Sequence, residues 1–249
     1  MNSPAAPSHP DSFWPETRAT WISDLSAANS RGQALENLCT AYRRPLIRTV
    51  QSALPELSTT EAEDVVQQFF ADDVFPSGTD KPTLFDSYQP EQGLLRHYLR
   101  GALRNFISSW LRARRALKRG GGYQHVSLDD PDHAEADWLP HGLDPFFDRE
   151  WALDVFSAAF QKLETHYLAD EERARRYHVL QPWLVGYEDE ERISALAEEL
   201  GITPGALRTF LHRLRADWQD ALRAIIAPTV ASPGQVEEEL RYLCSVLRG

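Results

Sequence analysis

Cysteine is nearly absent from this 249-residue chain: Cys39 and Cys244 are the only two, and no Cys pair stands at zinc-ligand spacing. Both sit among apolar residues at helical spacing, which favours buried small hydrophobes over a disulfide or a metal site. No apolar run approaches the roughly 20 residues that span a bilayer, and the N-terminal stretch lacks a basic-then-apolar leader pattern. Also missing are a Gly-rich phosphate loop, Gly-x-Ser-x-Gly and His-Glu-x-x-His, so the usual signatures of phosphoryl transfer, ester hydrolysis and zinc proteolysis are excluded. Gly120-Gly121-Gly122 follows a helical pattern instead of opening one, and so ends structure without cradling phosphate. His125, His133 and His141 lie eight residues apart among acids. That spacing suits no ligand set and reads as solvated loop histidines. These absences argue against an enzyme, a cofactor or a membrane protein, and they fit a reduced cytoplasm.

Alternating strand patterns are absent too, and an apolar content of 42% with seven Trp calls for a folded, all-α protein. Leu35, Leu38, Tyr42, Leu46, Val50 and Leu54 repeat at helical spacing across Pro45, until Pro55 ends the run. Ser58 and Glu61 form a capping box for a helix from Thr60 to about Asp73. Its apolar face is Ala62, Val65, Val66, Phe69 and Phe70, and its polar face is Glu61, Glu63, Asp64, Gln67 and Gln68. A long loop to Gly93 carries Phe85 and Tyr88, two aromatics that look exposed. Leu95, Tyr98, Leu99, Ala102, Leu103, Phe106, Ile107, Trp110 and Leu111 then mark one long helix.

Charge separates along the chain. The net charge is −11, yet residues 94–122 hold eight basic residues (Arg96, Arg100, Arg104, Arg112, Arg114, Arg115, Lys118, Arg119) and no acid. Residues 129–150 hold eight acids against Arg149 alone. A basic helix interleaved with Tyr98, Phe106 and Trp110 suits a nucleic-acid backbone with stacked bases. The competing reading is a solvated helix face. Unopposed like charges repel, which favours an anionic partner.

Residues 193–215 hold two short helical patterns around a turn. Ile193, Leu196, Ala197 and Leu200 make one apolar face, and Gly201 stops the helix in the manner of a left-handed cap. Thr203 caps the next helix and Pro204 suits its first position. Leu207, Phe210, Leu211 and Leu214 form its buried stripe, leaving Arg208, Thr209, His212, Arg213 and Arg215 outside. This describes a helix-turn-helix that reads duplex DNA, or an ordinary helical hairpin with a basic face. Arg149–His166, Asp170–Val185 and a last helix opened by a Ser232/Gln235 capping box complete the pattern. Val236, Leu240, Leu243, Cys244 and Leu247 face inward on that last helix.

The ordered set Glu61–Phe70, Gly93–Phe106, a linker and a C-terminal helix-turn-helix resembles the sigma-70 family of RNA polymerase sigma factors, in the two-domain extracytoplasmic-function type. Leu117–Gly122, Pro182–Leu184 and Glu238–Leu243 are similar to a planctomycete-type branch of that group. Composition marks a disordered tail at 1–13, rich in Ser, Pro and Ala, and an acidic linker at 123–148; the resemblance implies a region 2-like helical bundle at 14–122 and a region 4-like helix-turn-helix domain at 149–249. Its implied partners are core RNA polymerase, through the β′ clamp and β flap, and promoter DNA; a separate anti-sigma factor or regulatory kinase has room beside them. Glu63, Asp64, Gln67 and Gln68 match polymerase-contacting positions. Phe85, Tyr88, Arg96, His97, Tyr98, Arg100, Arg104 and Asn105 match positions on the opened −10 strand. Thr203, Arg208, Thr209, His212, Arg213 and Arg215 match the −35 major-groove reader. In that family the linker threads channels that otherwise hold nucleic acid; here its carboxylates are equally suited to mimicking phosphate or to solubilising a spacer. A stand-alone helix-turn-helix regulator is the alternative, and a metal-dependent nuclease using Asp129, Asp130 and Asp132 is a third class.

Overall fold

A computed structural model describes residues 31–74, 76, 83–89, 93–118, 143–184 and 190–249. The expected tail at 1–13, the glycine stop at 120–122, the three loop histidines and residues 123–142 of the linker lie outside these. Among the described residues there are eight α-helices and no strand. They are α1 (Arg31–Ala53), α2 (Thr59–Phe69), α3 (Leu95–Lys118), α4 (Leu143–Tyr167), α5 (Glu171–Leu180), α6 (Glu190–Glu199), α7 (Pro204–Ile226) and α8 (Pro233–Arg248). No helix among the described residues is long and apolar enough to cross a membrane.

The chain divides into two compact units. Of the described residues, the first unit takes those of 31–154 together with 227–249, and the second those of 155–226. The division differs from a boundary in the acidic linker: the last helix belongs with the N-terminal helices, not with the helix-turn-helix. Residues 143–148, expected in the linker, form the first turns of α4. Pro145 is compatible with this because a helix's first turn has no N–H bond for proline to break.

In the first unit α1 passes through Pro45 and buries Leu38, Tyr42, Leu46 and Val50 on one stripe. The α2 box forms as its sequence predicts. Glu61 N–H donates to Ser58 Oγ at 3.3 Å, and Ser58 N–H donates to Glu61 Oε2 at 2.9 Å. After Phe69 the helix widens into a π-helical turn, Phe70–Val74. Asp73 is half-buried there, and burial together with neighbouring Asp72 pushes its carboxyl up to about 6. The inner face of α3 is Leu95, Leu99, Leu103, Ile107 and Leu111, all buried, with Tyr98, Ala102, Phe106 and Trp110 on its margins. Tyr42 lies against Trp151 with ring centroids 4.4 Å apart. On α8, Val236 and Leu243 are buried, whereas Leu240, Cys244 and Leu247 are half-buried. Its start departs from the expected capping box. Ser232 makes no side-chain cap, and Gln235 Oε1 accepts instead from Ala231 N–H at 2.9 Å.

The second unit is built on aromatics. Trp218 packs against Phe156 and Phe160 at 5.6 and 5.4 Å, and Tyr167 stacks on Tyr177 at 5.4 Å. The Tyr167 hydroxyl donates to Asp217 at 2.5 Å, fixing α4 to α7. Burial and that carboxylate raise the tyrosine pKa far above its ordinary value.

Candidate nucleic-acid interface

Within the second unit, α6 ends in a left-handed glycine. Gly201 has φ +65°, Gly201 N–H donates to Glu198 O at 3.1 Å and Ile202 N–H donates to Ala197 O at 2.9 Å. Those two bonds satisfy carbonyls that a helix end leaves open. Thr203 starts α7 by accepting from Ala206 N–H at 3.2 Å. Ile193 and Ala197 face Leu207, Leu211 and Leu214 across the turn, all buried. A stripe at this spacing leaves the opposite side of α7 to Thr209, His212 and Arg213, all exposed. Thr209 donates its hydroxyl back to Gly205 O at 2.9 Å.

The flanks of α7 are occupied. Arg208 pairs with Glu190 of α6. Arg215, expected on the outer face with the others, is half-buried and donates to the Trp183 carbonyl at 2.9 Å. It holds the short 3-10 turn Gln181–Trp183 against α7, so its guanidinium is engaged within the unit.

The first unit places its expected residues less uniformly. Asp64, Gln67 and Gln68 of α2 are exposed, and Glu63 is half-exposed with Arg43 3.7 Å away. On α3, His97 and Asn105 are exposed and Arg104 half-exposed. Phe85, read as exposed in the sequence, is buried. The 3-10 turn Leu84–Asp86 tucks its ring inward. Thr83 N–H donates to Asp86 at 2.6 Å, and Arg31 donates to Thr83 and Asp86 at 2.6 and 2.7 Å. Tyr98 donates its hydroxyl to Leu84 O at 2.6 Å, Tyr88 donates to Gly93 O at 3.0 Å, and the two rings lie 5.1 Å apart. Both tyrosines are half-buried and hold the loop to α3.

Arg96 departs furthest from expectation. Its side chain is 3% exposed. Nη1 donates to Asp148 of α4 at 2.5 Å, Nε donates to Glu239 of α8 at 2.6 Å, and the Tyr242 ring covers the guanidinium at 4.4 Å. Asp148 also receives Arg100 Nη1 at 3.2 Å and the Tyr242 hydroxyl at 2.5 Å. Burial works to lower the Arg96 pKa, but Glu239 and Asp148 outweigh it and the net shift is upward. Burial likewise raises Glu239, with Arg96 opposing it. Nearby, Glu150 pairs with Arg48 and Asp154 lies 3.6 Å from Arg44. Arg114 approaches Glu61 at 3.9 Å. The contrast between a basic 94–122 and an acidic 129–150 is thus partly an internal pairing. Its signal in the sequence was the acids themselves, but nothing local paired them with α3.

No group of three or more His, Cys, Asp or Glu among the described residues is arranged to hold a metal ion. Burial pushes the Cys39 thiol up to about 12, which removes it from thiolate chemistry at neutral pH. Compared with family models, curated proteins and solved structures, the chain matches none of them.

Proposed function

We propose that the chain is a sigma-70-type promoter-specificity factor, without catalytic activity of its own, that acts with core RNA polymerase. The observation that carries the reading is the helix-turn-helix. A Gly201-terminated α6 and a Thr203-capped α7 leave Thr209, His212 and Arg213 on one solvent face. A helix presenting such a face fits a major groove, where Arg reads guanine through two hydrogen bonds. The polar outer face of α2 is available for the polymerase clamp, in the role the family resemblance gives it. The net charge of −11 suits a factor that binds DNA weakly alone and relies on the polymerase for the rest. Co-purification with core RNA polymerase, followed by run-off transcription from a genomic library, tests this. Promoter-specific transcripts are expected. Failure to associate with core enzyme, together with tight specific duplex binding alone, would overturn it.

A second reading, a stand-alone helix-turn-helix regulator, draws on the interior positions of Arg96 and Phe85. These withdraw two of the groups expected to handle an opened strand. Under that reading duplex binding needs no polymerase, and the same pair of assays separates the two.

A further inference from the structure

The first unit closes on itself through charge. Only one of three consecutive acids on α8 points inward: Glu237 and Glu238 are exposed, while Glu239 is 3% exposed and meets Arg96. Asp148 fills the other side of the same guanidinium and also reaches Arg100. Two carboxylates therefore occupy the donors of two α3 arginines, the position a nucleic-acid backbone would give to phosphate oxygens. Tyr242 stacks where a base or sugar would shield such a contact.

A buried ion pair is a costly way to hold a helix. Desolvating both charges consumes most of what their attraction returns, and apolar residues of the same size would do as well or better. The Trp151 indole N–H also faces the Glu239 carboxylate and favours its charged form. By contrast, the apolar grip of α8 itself is small, limited to Val236 and Leu243 among its fully buried apolar residues.

We propose that α8 is an autoinhibitory cap, in which Glu239 and Tyr242 mask Arg96 and give way to a single-stranded nucleic-acid backbone. This rests on the reading of α3 as the single-strand face. Displacing α8 leaves Asp148 as the one carboxylate shared by Arg96 and Arg100, and opens the Arg96 guanidinium to phosphate.

The experiment uses the full chain and a fluorescein-labelled oligothymidylate of roughly 20 nucleotides, with anisotropy read across a salt series. Amide hydrogen exchange of 233–248 is followed in parallel. Glu239→Gln keeps the shape and removes the charge, and should bind about tenfold more tightly. Its log–log salt slope should steepen by about 0.7, as one freed arginine on a single strand requires. Exchange in α8 should quicken. Tyr242→Ala, at a position already 39% exposed, gives the same direction with a smaller gain and guards against misfolding of the first variant. Glu238→Gln should change nothing. If α8 loosens in Glu239→Gln without any gain in binding, the masking role is wrong and the single-strand reading of α3 falls with it. If neither exchange nor binding moves in either variant, the cap is wrong while the function reading is untouched. Duplex binding through α7, measured with Arg213→Ala, tests that reading separately.

Discussion

Helices α3 and α7 look alike in sequence: each is amphipathic, long and rich in arginine beside an apolar stripe. In the structure they use their arginines differently. Arg213 of α7 is exposed on the face opposite the core. Arg96 of α3 sits inside its unit between Asp148 and Glu239, and Arg100 leans on the same Asp148. A positive charge on an amphipathic helix is therefore not in itself evidence of an outward face. What decides is whether an acid elsewhere in the same unit reaches it.

The largest effect should come from breaking the α3 arrangement. Arg96→Ala leaves buried Glu239 without its cation and Asp148 with Arg100 alone, and should lower unfolding stability by about 3–5 kcal/mol in urea titrations. Arg213→Ala, the matching change on α7, should move stability by less than about 0.5 kcal/mol, because its side chain is exposed. It should instead weaken duplex recognition by about 1–3 kcal/mol at one base position, seen in competition binding. Equal stability losses for the two would erase the distinction.

Turn chemistry gives a middle-sized effect. Gly201→Ala forces a side chain into a left-handed backbone at φ +65° and should cost about 1–2 kcal/mol in thermal unfolding. Thr203→Ala removes the oxygen that caps Ala206 N–H and should cost about 1 kcal/mol. Both act on the helix-turn-helix, so DNA binding should fall only as far as folding does.

A comparable effect is a pH dependence in the first unit. Burial and the neighbouring Asp72 raise the Asp73 carboxyl from its ordinary value of 3.8 to about 6 in the folded protein. A raised carboxyl favours the fold while protonated. Its contribution is present below the unfolded value and is lost as pH rises through about 6. Asp73→Asn should therefore flatten the stability profile between those limits and gain about 1–2 kcal/mol at pH 7, after allowance for partial exposure. A steeper profile in the variant would contradict this.

Much of the fold was legible because helix faces repeat every three to four residues. The stripes at Leu38–Val50, Leu95–Leu111 and Leu207–Leu214 follow from that period alone. Gly201 and the Ser58–Glu61 box were legible because their chemistry is local. Arg96 was not, since its partners lie 52 and 143 residues away and no short window contains them. Phe85 misled because an aromatic among prolines and glycines resembles an exposed loop tip. Its burial depends on Arg31 and Tyr98 pinning the turn from other helices. Pro145 suggested linker, yet a first-turn proline is as compatible with a helix as with its absence. For Ser232 the pattern of a capping box was present but the geometry was not, because Gln235 satisfies a different amide.

Arginine-selective labelling with phenylglyoxal, read by peptide mass spectrometry on the folded full chain, tests the contrast between α3 and α7 most directly. Arg213 should label at close to the rate of an unfolded peptide, and Arg96 should be protected by about tenfold or more until the chain unfolds. Labelling of Arg96 as fast as Arg213 in the native protein would contradict the account.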